Sequence, residues 1–452
     1  MQKTILTKAV AVALATLGAG AAMAQSTVTL YGNLDAAIDH VNIGSGTSPV
    51  ILPALAGGAT VNPKVAQSLS RVTPSISSVN AFGIKGSEDL GDGYKGSFVL
   101  EGQVGLDNGS LGNDSRIFGR QAYAGLTTPF GEFRMGRQYA PMFYSFALTT
   151  PDAMGATDVY AAGVTINNLQ VRQDNQLSYW LKTGPWMAVA SYSPNAGVAE
   201  RISGARSVAT ASTPVATSAT GEILGGATAN TESSTRRGQS VGLLLAYMTD
   251  TMRLLAAYHG NKFGVDAGIY NVALGGYVPF YRMGDYSSFS LNGRFNLGSP
   301  ATRLSVGFHQ GKFDLAGTGA AAALVTVSNA TVQTLGLGIR QDIGNFSIGA
   351  EGGVSRFTNF TKGKNEALVL IGDYNLSKRT TLYTRVGQVR DHEGSAVATS
   401  ASLGAAGNIT LHGGPFSGLT SLGSSEIPMF AGAGVNAGGK TSYVGVGIRH
   451  SF

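Results

Sequence analysis

Apolar and polar residues alternate with a period of two through most of this chain. In TSYVGVGIRHSF, residues 441–452, Val444, Val446, Ile448, His450 and Phe452 share one parity. Tyr443, Gly445, Gly447, Arg449 and Ser451 share the other. Successive strand side chains point to opposite faces, so the spacing predicts a strand with one apolar and one small or polar face. A strand running to the last residue of the sequence needs partners along its edges, and a closed barrel leaves no free edge. The apolar row would meet lipid and the Gly, Ser and Arg row a wet interior. On this segment alone, an edge strand of a soluble sandwich is the alternative.

The same pattern opens the chain. In TVTLYGNLDAAID, residues 27–39, Val28, Leu30, Leu34, Ala36 and Ile38 alternate with Thr29, Tyr31, Asn33, Asp35 and Asp39. A whole polar face on so long a strand suits a solvent-filled lumen better than a packed core. A loop of roughly forty residues is expected next, ending near Ser78. Then FGIKGSEDLGDGYKGSFVLEGQ predicts a hairpin with a tight Asp/Gly turn. Phe82 and Ile84 oppose Ala81, Gly83 and Lys85; Phe98 and Leu100 oppose Lys95, Ser97 and Glu101. FGRQAYAGLTTPFGEFRMGRQYAP follows, turning at Thr128-Pro129-Phe130-Gly131. Here Arg120, Ala122 and Ala124 share one face, with Gln121 and Tyr123 on the other.

An interval of about thirty residues, 139–170, then carries only Asp152 and Asp158 as charges; a loop this long is functional or disordered. Further hairpins turn at Gly184-Pro185, Thr249-Asp250, Gly298-Ser299-Pro300, Asp342 to Asn345 and Ser377-Lys378. In the third of these, Phe289, Leu291 and Phe295 oppose Ser290, Asn292 and Arg294. The expected fold is an all-β transmembrane antiparallel barrel of about sixteen strands, with short turns on one side and long loops on the other. With both termini on the short-turn side, the long loops face outward from the cell.

Composition narrows the class. Gly is 64 residues and charged residues are only 13%, as suits Gly-rich connections between many short strands. No apolar run approaches the roughly 18 residues of a membrane helix. The chain has no cysteine, which removes disulfides and thiolate metal sites. Residues 1–24 read as a secretory signal peptide: Lys3 and Lys8, an apolar stretch, then Ala22-Met23-Ala24. A cut before Gln25 leaves a barrel domain at 25–452, and the net charge of +6 falls to about +4. The remaining basic residues are scattered, with no dense patch for nucleic acid.

The motifs themselves resemble Gram-negative porins. The ending xVGxRHxF is similar to the beta-proteobacterial branch, with Ser451 where a basic residue is frequent there. TVTLYGNLDAAI resembles the opening strand VTLYGxLDAGI. The hairpin at 82–103 matches SRxGFKGxEDLGxGLxAxFxLE, except that Ala81 stands where the family has an inward Arg. LSKRTTLY is similar to LSKRTxLY. MGRQYAP resembles the point where porins send their third loop into the lumen, and PDAMG a DPFG-like turn. The resemblance implies that residues 139–170 fold inward as a constriction loop. It implies a pore-facing Arg120 from FxRxAxxGL, with Ala122 and Ala124 on the same face and Gln121 toward lipid, and Arg172 from RxxNSxxY. It also implies that Val444, Val446, Ile448 and Phe452 are read by the barrel-assembly machinery, and that the protein is a homotrimer set in outer-membrane lipid and lipopolysaccharide.

Sixteen strands enclose a space too wide for side chains to fill. The candidate constriction residues are Lys85, Arg120 and Arg172 on the wall with Asp152 and Asp158 on the loop, where charges act across a confined passage. Each could instead be an ordinary solvated lumen charge. The expected function is a general diffusion porin of the outer membrane for small hydrophilic solutes and ions, weakly anion-selective and needing no cofactor. A substrate-specific channel is the main competitor, for which the loop region offers Tyr139, Phe143, Tyr144, Phe146 and Tyr160 as an aromatic track. A surface adhesin or structural barrel is another. An enzyme is not expected, since the six histidines are dispersed, with no triad or metal spacing among them.

Overall fold

The computed structural model describes residues 26–46, 50–51, 60–61, 66–74, 76–152, 159–160, 168–196, 202–204, 206–210, 213–217, 239–271, 276–298, 302–317, 329–358, 363–392, 435 and 438–452. The expected signal segment and Asp158 lie outside these residues.

Apart from two short pairs, Val50–Ile51 with Thr60–Val61 and Arg206–Thr210 with Thr213–Thr217, the described strands form one continuous sheet, antiparallel throughout its wall. In chain order they are β1 Thr27–Ile43, β2 in two pieces (Gln67–Pro74 and Ala81–Gly91), β3 Tyr94–Gln103, β4 Gln121–Thr128 and β5 Gly131–Tyr139. Then come β6 Arg172–Thr183, β7 Trp186–Ser193, β8 Ser240–Met248, β9 Met252–Asn271, β10 Gly276–Leu297 and β11 Thr302–Gly317. The wall finishes with β12 Asn329–Ile343, β13 Phe346–Thr358, β14 Gly363–Asn375, β15 Thr380–His392 and β16 Lys440–Ser451. Both pieces of β2 pair with β1, the first from Ala36 to Ile43 and the second from Thr27 to Asn33, so they occupy one position in the wall. Counting them once, and setting aside Ile202–Gly204, which pairs parallel with β9, gives sixteen positions. β16 pairs with β1 from Asn33↔Ser451 to Ile43↔Thr441 and closes the barrel.

Closure satisfies the backbone. Phe452 continues the seam beyond the strand, its amide donating to the Gly32 carbonyl at 3.1 Å and its carbonyl accepting from Gly32 at 3.3 Å. The Phe452 ring lies where a Cβ on Gly32 would be. At the short-turn end, Gly184 (φ +56°) and Gly344 (φ +61°) hold left-handed conformations that a side chain would oppose.

Parity divides the wall as the alternation requires. Val28, Leu30, Ile38, Leu126, Met135, Leu245, Leu337, Leu370, Val446 and Ile448 are exposed on the outside. Their neighbours Asp35, Asp39, Ser178, Ser290, Asp373 and Arg385 are buried on the inside. Leu291 is 57% exposed and Asn292 only 4%. A buried polar row needs internal partners, and the inward-folded loop supplies them.

Two expectations are corrected. The loop expected between β1 and Ser78 contains wall, since Gln67–Pro74 pairs with β1. Its outward row begins Ser68 and Ser70, opposite Asn42 and His40, so no apolar alternation marked it. The second correction concerns β4. Tyr123, Gly125 and Gln121 sit opposite Val99, Ser97 and Glu101 on the lumen side, whereas Ala122 and Ala124 sit opposite Leu100 and Phe98 on the outer side. Gln121 therefore faces inward. Arg120 still reaches the lumen because it precedes the strand, its amide donating to the Glu101 carbonyl at 3.0 Å instead of joining the regular ladder.

Candidate functional site: the loop-narrowed lumen

After β5 the chain turns inward at Ala140 into helix α1, Pro141–Ala147, with Pro141 at its first turn, where no amide partner is lost. The helix lies on the inner faces of β8, β9 and β10. Met142, Phe146 and Tyr160 pack with Val189, Leu244, Leu255 and Ala257. The polar wall answers the helix: Ser145 Oγ is 2.8 Å from Ser290 Oγ, Asn292 Nδ2 donates to Ser145 Oγ at 3.0 Å, and Ser305 Oγ donates to the Thr149 carbonyl at 2.6 Å. Glycines admit the loop at its closest approaches; a Cβ on Gly338 would overlap Pro151, and one on Gly353 the Val159 carbonyl. Residues 139–170 thus enter the lumen as expected, wherever they are described.

At Pro151-Asp152 the loop reaches β12 and β15 and enters a charged knot. Asp152 accepts from Arg385 Nε and Nη2, each at 2.9 Å, and from Arg340 Nη1 at 3.4 Å. Asp373 accepts from Arg385 Nη1 at 2.8 Å and also from Arg340. Arg385 Nη2 further donates to Ser77 Oγ at 3.0 Å, and the Ser77 and Ser78 amides donate to Asp35. The Asp152 side chain is only 3% exposed. Its charge is neutralised where the loop is moored, not presented to the water path.

A second charged group gathers on β2 to β6 around Tyr139. The Arg120 and Arg172 guanidinium carbons lie 5.8 and 5.0 Å from the Tyr139 ring centre. Arg120 Nε donates to Glu101 Oε1 at 2.6 Å, and Tyr31 donates to Glu101 Oε2 at 2.8 Å. Arg172 Nη1 donates to Asn113 Oδ1 at 2.8 Å. Arg116 Nη1 pairs with Asp174 at 2.9 Å, and Arg137 pairs with the same carboxylate. Lys85 lies over Tyr31, 5.0 Å from its centre. Lys85, Arg116, Arg120, Arg137 and Arg172 face Glu101 and Asp174, which leaves three positive charges in excess. Arg120 Nη1 and Arg172 Nε have no hydrogen-bond partner among the described residues.

So the sequence-derived candidates separate. Arg120 and Arg172 come together, Lys85 stands nearby over Tyr31, and Asp152 belongs to the separate knot with Arg340, Arg385 and Asp373. The sequence reading missed Arg116 and Arg137, although Arg137 lies inside the motif MGRQYAP. It also missed Arg340 and Arg385, which only strand register brings to the loop. The five loop aromatics do not form a track. Tyr139 stacks on Phe143 at 4.2 Å, and Tyr139, Phe146 and Tyr160 are buried. Burial also pushes the Tyr144 phenol above its ordinary range, so it remains neutral.

Residues 9–394 match the family described as Gram-negative porin. A stretch of 180 residues is 34% identical to outer membrane porin protein 32 of Delftia acidovorans, covering 37% of this chain and 44% of that protein. A stretch of 184 residues is 32% identical to an outer membrane porin protein of Bordetella pertussis, covering 40% of this chain and 44% of that protein. These matches span less than half the length of either relative. Among solved structures, the anion-selective porin from Comamonas acidovorans superposes with a TM-score of 0.60 at 22% identity, covering 95% of this chain and 100% of that one. The in-vitro folded trimer form of Vibrio cholerae OmpT superposes with a TM-score of 0.53 at 12% identity, covering 94% and 99%. With a family match across most of its length and a closed sixteen-stranded barrel holding a loop inside, the chain belongs to the Gram-negative porin family.

Proposed function

We propose that the protein is a general diffusion channel of the outer membrane, passing small hydrophilic solutes and ions with a weak preference for anions. The carrying observation is the excess of cations around Tyr139, where Lys85, Arg116, Arg120, Arg137 and Arg172 outnumber Glu101 and Asp174. Guanidinium groups in a confined passage raise the local anion concentration and repel cations. Lys85, Arg120 and Arg172 border the narrow part in this reading, and Asp152 holds the loop in place. The protein is exported by its first 24 residues and assembles as a homotrimer, with Val444, Val446, Ile448 and Phe452 recognised during insertion. Passive diffusion needs no cofactor and no catalytic group.

A substrate-specific channel is disfavoured because three of the five loop aromatics, Tyr139, Phe146 and Tyr160, are buried in packing. Single-channel recording of the purified protein tests the proposal. Stepwise conductance is expected, with a reversal potential displaced toward anions in a KCl gradient. The displacement should fade as salt rises, because the screening length is about 10 Å at 0.1 M and about 3 Å at 1 M. No conductance steps would favour an adhesin or structural barrel, and a cation-directed reversal potential would overturn the assigned selectivity.

A further inference from the structure

Away from the Tyr139 cluster, four consecutive strands each carry an arginine on the inner face. Arg253 of β9 lies directly opposite Arg294 of β10, and Arg303 of β11 directly opposite Arg340 of β12. Arg303 also pairs in register with Asn296, two residues along from Arg294 on the same face. Arg294 lies within electrostatic reach of Arg253, Arg303 and Arg340, with Asp342 as the one acidic group among its electrostatic partners. Directly opposed residues have Cα atoms about 4.5–5.5 Å apart, and like charges there destabilise a sheet. The wall has collected cations where they repel each other.

Only half of this row is neutralised. Arg340 is held by Asp373 and Asp152, and Arg303 Nη2 pairs with Asp342 at 2.5 Å. Arg253 and Arg294 form no ion pair within 4.0 Å among the described residues, although the Asp342 carboxylate lies within electrostatic reach of Arg294. Arg253 donates Nη1 to the Leu148 carbonyl at 2.9 Å, and Arg294 donates Nε to Asn296 Oδ1 at a long 3.4 Å. Arg303 Nε is buried with no hydrogen-bond partner among the described residues. Arg253 and Arg294 are both partly exposed. They stand close to the short turns, Arg253 just after Thr251 and Arg294 just before Gly298. Arg120, by contrast, is separated from its nearest short turn by the whole of β4.

We propose that Arg253, Arg294 and Arg303 form a docking site for small multivalent oxyanions on the inner wall, at the short-turn end of the lumen. The guanidinium fork matches the oxygen geometry of phosphate and carboxylate groups and makes charge-assisted bonds to them. A multivalent oxyanion relieves the repulsion of several cations at once, whereas chloride offers neither fork geometry nor more than one charge. The Leu148 carbonyl holds Arg253 to the end of the loop helix, so an anion leaving the narrow part meets this row next. The site rests on the channel reading and adds to it a resting point for phosphate-like or polycarboxylate solutes.

The test uses the full protein in planar bilayers near 0.1 M KCl, with inorganic phosphate as the probe. Unitary steps in KCl alone come first; their absence would defeat the channel reading before phosphate is added. With steps present, phosphate is expected to reduce the chloride current saturably. Arg253→Gln/Arg294→Gln should raise the half-blocking concentration about tenfold or more, as expected for loss of charge-assisted bonds. Arg120→Gln should change it less than about twofold. Arg253→Lys/Arg294→Lys keeps the charge but loses the fork, and should lie between the parent and the Gln pair. Block at the parent's concentration in the Gln pair would overturn the site. So would parent-like block in the Lys pair, which would mean field without docking, or an equal effect of Arg120→Gln. Normal unitary steps in each variant's KCl record establish that it has folded.

Discussion

Asp152, in the inward loop, sits in the guanidinium fork of Arg385 on β15, with Nε and Nη2 each 2.9 Å from a carboxylate oxygen. The two residues are 233 positions apart, and their contact moors the loop to the wall across the lumen. Removing one partner of a buried pair leaves the other uncompensated, at a cost of about 3–5 kcal/mol. Arg385→Ala should therefore unfold at lower urea and show a noisier open channel, because Asp152 and Asp373 both lose a cation. Asp152→Asn should raise the noise with a smaller stability loss, since Arg385 keeps Asp373. Parent-like midpoints and quiet currents in both variants would mean that the loop is held elsewhere.

Gly32 and Phe452 close the seam. Their backbone bonds join β1 to the end of β16, and the Phe452 ring fills the space a side chain at 32 would take. Deleting Phe452 is expected to leave exported but unassembled protein in the periplasm. Gly32→Val should weaken assembly in the same direction by displacing the ring. Normal amounts of heat-modifiable barrel in the outer membrane of the deletion strain would refute the assembly role.

Leu291 and its neighbour Asn292 face opposite environments, 57% and 4% exposed. An Arg facing lipid at the bilayer midplane costs about 2–4 kcal/mol. Leu291→Arg should thus impair folding into lipid vesicles by up to that amount. Asn292→Arg should insert but dislodge α1, because Asn292 bonds Ser145 beneath the helix. Its signature is altered conductance with near-parent insertion. Equal insertion defects in the two variants would contradict the face assignment.

Ala81 lies on the inner face of β2, opposite Asn33 and Gln103 and next to the positive cluster. Ala81→Arg is expected to strengthen anion preference and lower conductance, since charge and bulk enter together. Arg120→Ala should shift the reversal potential toward cations. Its partner Glu101 is then left bonded to Tyr31 alone, so its negative charge stands uncompensated on the same wall. Both reversal potentials would be measured at low salt, where screening is weakest. If neither moves, the narrow part of the path lies away from Tyr139.

The barrel was legible in the sequence because its cause is local. A period of two writes inside and outside into most strands, so the alternation alone sets Leu291 and Asn292 on opposite faces. Tight turns separated by long loops set the strand number for the same reason. Legibility failed where alternation was absent or interrupted. Gln67–Pro74 joins the wall with serines on its outward row, and β4 begins one residue after Arg120, which reverses the parity that Arg120 alone suggests. The charged site was only half visible. Lys85, Arg120 and Arg172 carry recognisable motifs, but whether a charge is free or neutralised depends on partners far along the chain. Asp152 reads as a lone loop carboxylate until closure brings Arg385 and Arg340 against it. Arg253, Arg294, Arg303 and Arg340 look scattered until antiparallel register sets them side by side. Side-chain direction follows from neighbouring residues and was determined by the sequence pattern; electrostatic partnership follows from long-range register, and only the tertiary structure decided it.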